Sequence, residues 1–294
     1  MPAPAAANLM EERVTTGPAA GTVVRIYRAH GARRSAPIAL HLHGGAFVSG
    51  SLECGGMISC LLAKAGATVV SAAYPLACEQ PFPHGLDVAY GTLLWLYENR
   101  ARFGTKKSSI FVAGEEAGGN LAAALALIAR DQRMPPLAGQ ILLSPMLDAC
   151  LATQSLRAAD AGSVGCKWAE GWRTYLGTAD KAAHPYAAPM GASRLAGIAP
   201  ALVVTSVDDP MHDEALRYAA RLREAGVRAS AHTLPGPTGW PEAMADPLPE
   251  DGVPRASWAS AVQALFSAFL SDPLADFSSC ATAAQTAGPA PTNL

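Results

Sequence analysis

Two glycine-bearing turns hold the residues best suited to chemistry at a carbonyl group. The first, His43-Gly44-Gly45-Ala46-Phe47-Val48-Ser49-Gly50, follows the apolar run PIALHLH. Glycines at 44 and 45 let the backbone approach a substrate closely, and their N–H groups can point at a developing oxyanion. The second, Gly114-Glu115-Glu116-Ala117-Gly118-Gly119-Asn120, lies between a strand-like and a helix-like stretch. The Ala117 N–H opens that helix and is placed to complete the same hole, with the Glu116 carboxylate at the apex of the turn. The plainer reading is that glycines after strands simply make turns. A third segment, Asp209-Pro210-Met211-His212-Asp213-Glu214, supplies a carboxylate. Asp209-Pro210 also reads as an N-cap and first-turn pair for the following helix.

The elements that must position these residues follow from hydrophobic periodicity. Strands are expected at 22–29, 37–43, 67–73, 109–113, 140–144, 201–206 and 228–234. Helices are expected at about 52–66, 85–103, 117–130, 210–225 and 255–270. Strands alternating with helices require crossover connections, so the fold class is α/β with a mostly parallel sheet and helices on both faces. The chain of 294 residues reads as one domain, 1–294. The rhythm breaks at about 146–198, where a small cap insertion carries the aromatic cluster Trp168, Trp172 and Tyr175. Those rings either line a pocket or pack a cap helix. Residues 1–20 and 276–294, rich in Ala and Pro, read as loose termini.

Composition excludes several classes. Half the residues are apolar and 16% are charged, which excludes global disorder. A net charge of -2 gives no reason to expect nucleic acid or an anionic membrane as partner. No apolar run is long enough to span a bilayer, and the N-terminus lacks the charged and apolar regions of a signal peptide. The six cysteines show no CxxC pair and no metal-like spacing with histidine, which suits buried, reduced thiols in a cytoplasmic protein. No metal and no organic cofactor is implied.

Read together, the segments resemble the hormone-sensitive-lipase-like (bacterial family IV) α/β-hydrolases. The His43–Gly50 turn is similar to that family's HGGGxxxG, and Tyr74-Pro75-Leu76-Ala77-Cys78-Glu79-Gln80-Pro81-Phe82-Pro83 to its YRLAPExxFP. Gly114–Asn120 is similar to GDSAGGN, and Asp209–Glu214 to DPLRDE. The resemblance covers about residues 20–270 and implies an α/β-hydrolase fold with an esterase-like site. It also implies that His43 braces the oxyanion loop and that Glu115 supports the elbow. The departures matter more. Glu116 stands where the family has its serine nucleophile. The turn that carries the family's histidine reads Leu234-Pro235-Gly236-Pro237-Thr238-Gly239-Trp240, with Thr238, or in another alignment Gly239, at that position. Asp209 is retained, but no Ser-His-Asp arrangement can be assembled. The first turn also comes too early for the family's N-terminal cap helices, which predicts a more open pocket or one closed by a partner subunit in a homodimer.

Four natural roles fit Glu116. As a nucleophile it would form a glutamyl ester whose hydrolysis normally needs the missing histidine. As a general base it would use the oxyanion hole for cyclisation, elimination or isomerisation, the preferred reading. As a base toward water it would hydrolyse an ester, lactone or epoxide. Folded back, it would fill its own oxyanion hole and leave a catalytically dead ligand-binding protein, because a helix N-terminus readily holds a carboxylate. An engineered substitution in an ordinary esterase is a further origin, against which the lost histidine turn argues. The ligand expected in each case is a small hydrophobic molecule with a carbonyl. Thr238, Trp240, Trp168, Trp172 and Tyr175 are pocket or support candidates, and His184 and His212 read as surface histidines.

Overall fold

The computed structural model describes residues 8–160, 166–249 and 251–275. Eight strands form one sheet in the order β1-β2-β4-β3-β5-β6-β7-β8. These are β1 (Asn8–Arg13), β2 (Val23–Arg28), β3 (Ile38–Leu42), β4 (Thr68–Ala72), β5 (Ile110–Glu115), β6 (Gly139–Leu143), β7 (Ala201–Ser206) and β8 (Ala229–Leu234). β1 and β2 run antiparallel at one edge, and the pairings from β4 through β8 are parallel. Every residue of β3 to β7 is buried. That is the pattern of strands covered by helices on both faces, and it explains their near-continuous apolar sequences.

The helices are α1 (Gly56–Lys64), α2 (His84–Glu98), α3 (Arg100–Phe103), α4 (Ala117–Gln132), α5 (Gln154–Asp160), α6 (Cys166–Leu176), α7 (His212–Glu224) and α8 (Ala259–Ser271). Alternate residues of one strand feed opposite cores: Ile110 and Val112 pack with α2, α4 and α7, whereas Phe111 and Ala113 pack with α1 and α8. α4 is buried without interruption from Ala117 to Ala129, because it lies between the sheet, α2 and the segment bearing α5 and α6. Its alanines and glycines let it sit that close. This is the architecture the sequence implies.

Four expectations are corrected. Residues 8–13 are an edge strand, paired along their length with β2, so the first part of the chain is not a loose arm beyond residue 7. Residues 1–7 and 276–294 lie outside the described residues. The helix expected over 85–103 breaks at Asn99, whose side-chain amide donates to the Trp95 carbonyl and closes α2. The first helix begins at Gly56 instead of Leu52, after a turn. Of Cys54, Cys60, Cys78 and Cys150, all free thiols, Cys60 alone is buried, while Cys78 and Cys150 are exposed. No helix among the described residues is long and apolar enough to cross a membrane.

Candidate active site

The site is built where β5 gives way to α4. Glu116 occupies the connecting position with φ 52° and ψ -114°, a conformation that costs a non-glycine residue about 1–3 kcal/mol. Its backbone is held on both sides: the Glu116 N–H donates to the Leu143 carbonyl, and the Glu116 carbonyl accepts from Met146 and Asn120. The turn aims the side chain across the C-terminal end of the sheet at the loop after β3.

There the carboxylate is fully engaged. Oε2 accepts the backbone N–H of Gly45 at 2.5 Å and of Ala46 at 3.1 Å. Oε1 accepts the Trp168 indole N–H at 2.8 Å, and the Lys167 ammonium stands 3.8 Å away. Glu116 is 5% exposed, so these charge-assisted bonds replace nearly all of its hydration. Gly45 makes the loop possible. Its φ is +117°, and a Cβ there would lie 2.2 Å from the Ser49 carbonyl oxygen.

One expected donor is not part of this cradle. The Gly44 N–H donates to Glu115 Oε1 at 3.1 Å, so the pair of loop amides on the Glu116 carboxylate is Gly45 with Ala46, not Gly44 with Gly45. Glu115 thereby ties the elbow to the loop. Its other oxygen accepts from His41 Nε2 at 2.7 Å, and His41 Nδ1 meets the hydroxyls of Ser71 and Ser59. His43 braces the loop: its Nδ1–H donates to the Gly44 carbonyl, its ring stacks on Tyr74 at 4.4 Å, and the Tyr74 hydroxyl donates to its carbonyl. Burial pushes the His43 pKa down, which favours the neutral ring. Ala117 opens α4 directly beside Glu116.

Asp209 and the turn that bears Thr238 are held by separate partners. Asp209 is buried and accepts from the hydroxyls of Ser144 and Thr205, each at 2.6 Å, and from the Met211 N–H at 2.8 Å. Burial raises its pKa against these bonds. The helix itself starts at His212, so Asp209 closes the turn ahead of α7 and is not its N-cap. Thr238 is tied instead to Asp208, through its N–H at 2.7 Å and its hydroxyl at 3.0 Å, and to the Ser206 hydroxyl at 2.8 Å. Gly239 N–H joins the same Asp208 carboxylate. Burial acts upward on Asp208, but the bonds from Ser206, Gly239 and Thr238 outweigh it and bring its pKa down to about 2. A depressed carboxylate stabilises the fold above its unfolded pKa near ~3.9 and loses that contribution as pH falls through its folded value. Urea midpoints of the native protein should therefore fall more steeply than those of Asp208→Asn as pH drops from about 4 toward 2. The difference is small, because Asp208 is exposed.

His212 is half-buried near Thr205 and not solvent-facing as expected, whereas His184 is exposed beside Phe82. Trp168, Trp172 and Tyr175 are buried on α6. Phe47 stacks on Tyr175 at 4.0 Å and tilts against Trp172 at 5.1 Å, so the cluster packs α6 onto the 44–50 loop. Trp240 packs edge-on against Trp258, on the α8 side of the sheet. Sequence reasoning missed Ala46, Lys167, Glu242, Asp208, Ser144 and Thr205. Lys167 is the most consequential of these, because it joins Glu116 to Glu242, in the short helical turn Glu242–Met244 beyond Trp240. Among the described residues no group of three or more His, Cys, Asp or Glu is placed to hold a metal ion.

A sheet of this order, a strained strand-to-helix elbow and a glycine loop facing it define an esterase-type α/β-hydrolase. Residues 39–238 match the alpha/beta hydrolase fold family, and the chain belongs to it. It is 34% identical over 218 residues to the carboxylesterase NlhH of Mycobacterium tuberculosis, covering 72% of this chain and 68% of that one. It is 33% identical over 194 residues to an arylesterase of Saccharolobus solfataricus, covering 65% and 63%. The matched stretch is thus about two thirds of these relatives' length. Among solved structures, the thermostable carboxylesterase EstE1 from a metagenomic library superposes with a TM-score of 0.78 at 28% identity, covering 92% and 89% of the two chains. The hyperthermophilic esterase of Pyrobaculum calidifontis gives 0.76 at 31% identity, covering 89% and 86%.

Proposed function

We propose that this chain is an esterase-fold protein whose oxyanion hole is occupied by its own Glu116 carboxylate, and that it binds a small hydrophobic carbonyl compound without hydrolysing esters. The observation that carries the reading is the seat of that carboxylate on the Gly45 and Ala46 amides and the Trp168 indole. A substrate carbonyl needs those amides free, and Glu116 competes for them intramolecularly at a very high effective concentration. A charge-assisted bond is roughly twice as strong as the neutral one a carbonyl would make. The turn that would supply a base carries Thr238, already committed to Asp208. With short p-nitrophenyl esters, the native protein should release p-nitrophenol no faster than buffer.

Ester hydrolysis with Glu116 as base or nucleophile is the second reading, favoured by the carboxylesterase relatives. It asks the carboxylate to leave three N–H donors and Lys167 before it can act. General-base cyclisation, elimination or isomerisation asks the same of the carboxylate. The free thiols at Cys54, Cys60, Cys78 and Cys150 suit a reducing compartment, so the cytoplasm is the proposed location.

A further inference from the structure

We propose that helix α6 is a lid latched to the elbow by charge, and that the slot beneath it takes an uncharged apolar ligand bearing a hydrogen-bond acceptor, such as an aryl ketone. The proposal rests on reading Glu116 as the occupant of the hole.

Two independent sets of contacts lead there. The first is the latch. Trp168 and Lys167 are adjacent on α6, and both reach the Glu116 carboxylate. Lys167 also pairs with Glu242, so one ammonium bridges two carboxylates from separate parts of the body. Lys167 is 37% exposed and Glu242 50%, which makes this side of the latch open to water and to screening by salt. Gly171 lets the helix backbone come down onto the loop, where a Cβ would lie 2.2 Å from the Ala46 carbonyl oxygen.

The second set lies under the lid. Trp172 Nε1 and the Tyr175 hydroxyl are buried, and among the described residues neither has a hydrogen-bond partner. Tyr175 lines, with Phe47, Tyr74, Gln80 and Leu121, a cavity of about 10 Å³, room for one water, which can admit a ligand only when α6 lifts. Two buried donors without acceptors work against the closed packing, whereas the charged latch works for it. α6 is held by its buried rings and by this ionic pair at its outer end, and the two unpaired donors on its buried face oppose that hold. A ligand that supplies an acceptor to Tyr175 or Trp172 and apolar surface to Phe47 removes the penalty. An anionic ligand is disfavoured, because the Glu116 carboxylate already takes the Gly45, Ala46 and Trp168 donors beside α6.

Hydrogen–deuterium exchange of native protein, Lys167→Met and Glu242→Gln tests both parts. Peptides from 167–176 should exchange at least ten-fold faster in both variants, with 117–132 unchanged. Millimolar acetophenone should slow the variants' 167–176 exchange several-fold, and toluene, which has no acceptor, should not. Unchanged exchange in both variants overturns the latch. Faster exchange that acetophenone leaves untouched, or that toluene slows equally, overturns the ligand assignment. Either failure is separate from that of the underlying reading, which falls on ester turnover by the native protein.

Discussion

Glu116→Gln should melt about 5–10 °C below the native protein, the opposite of what removal of a catalytic group usually does. Active-site residues held in strained, destabilising positions tend to give more stable proteins when replaced. Here the carboxylate satisfies two backbone amides and one indole N–H in a site 5% exposed. A glutamine can turn its oxygen toward Gly45 and Ala46, but its NH2 group then faces the Trp168 N–H and the Lys167 ammonium, donor against donor. Leaving one buried donor unpaired costs about 1–3 kcal/mol, and losing the charge-assisted bonds adds to it. In a chain of this size about 1 kcal/mol moves the melting temperature by roughly 2–4 °C. The strained backbone at 116 is common to both residues and cancels. A Gln variant as stable as the native protein, or more so, would mean that the carboxylate is not a structural occupant of the hole. Differential scanning calorimetry reads the difference directly.

The second large effect is expected at Gly45. Alanine there meets two obstacles at once: φ of +117°, which side-chain-bearing residues rarely adopt, and a Cβ 2.2 Å from a backbone oxygen that cannot swing away. Relief requires moving the 44–50 loop, which withdraws the Gly45 and Ala46 amides from Glu116. The combined cost should exceed about 3 kcal/mol, from backbone strain, overpacking and lost hydrogen bonds together. Gly191→Ala is the matched control. Nothing lies within 4 Å of a Cβ at that position, and its φ is not in the left-handed region. It should stay within about 0.5 kcal/mol of the native protein. Urea unfolding of the pair measures both; a Gly45→Ala protein as stable as Gly191→Ala would show that the loop is not pinned as described.

The parts of the molecule that were legible in the sequence share a cause. β3, β4, β6 and β7 are buried on both faces and therefore spell themselves as apolar runs, and α4 announces itself by AGGNLAAALALIA. The elbow and the oxyanion loop were legible because backbone geometry there forces glycine at fixed offsets. β1 was not, because NLMEER is an edge strand held through its backbone, and even its apolar Leu9 and Met10 are exposed. The exchange of Gly44 for Ala46 in the cradle follows from the path of the loop after Gly45, where Ala46 and Phe47, which are not glycines, also take positive φ. The partners of Glu116 and of the Thr238 turn were hidden by distance along the chain. Trp168 lies 52 residues from Glu116, and Lys167 lies 75 from Glu242. Asp208, next to the expected Asp209, acquires its role only where the fold brings Thr238 to it. A local pattern can place a carboxylate at the elbow; which donors receive it depends on the tertiary structure.

The most direct measurement is hydrolysis of p-nitrophenyl butyrate by the native protein and by Glu116→Gln at equal concentration. An oxyanion hole filled by Glu116, with no base at Thr238, predicts rates indistinguishable from the buffer blank for both. Turnover by the native protein that disappears in the glutamine variant would contradict the account and make Glu116 a catalyst of ester hydrolysis.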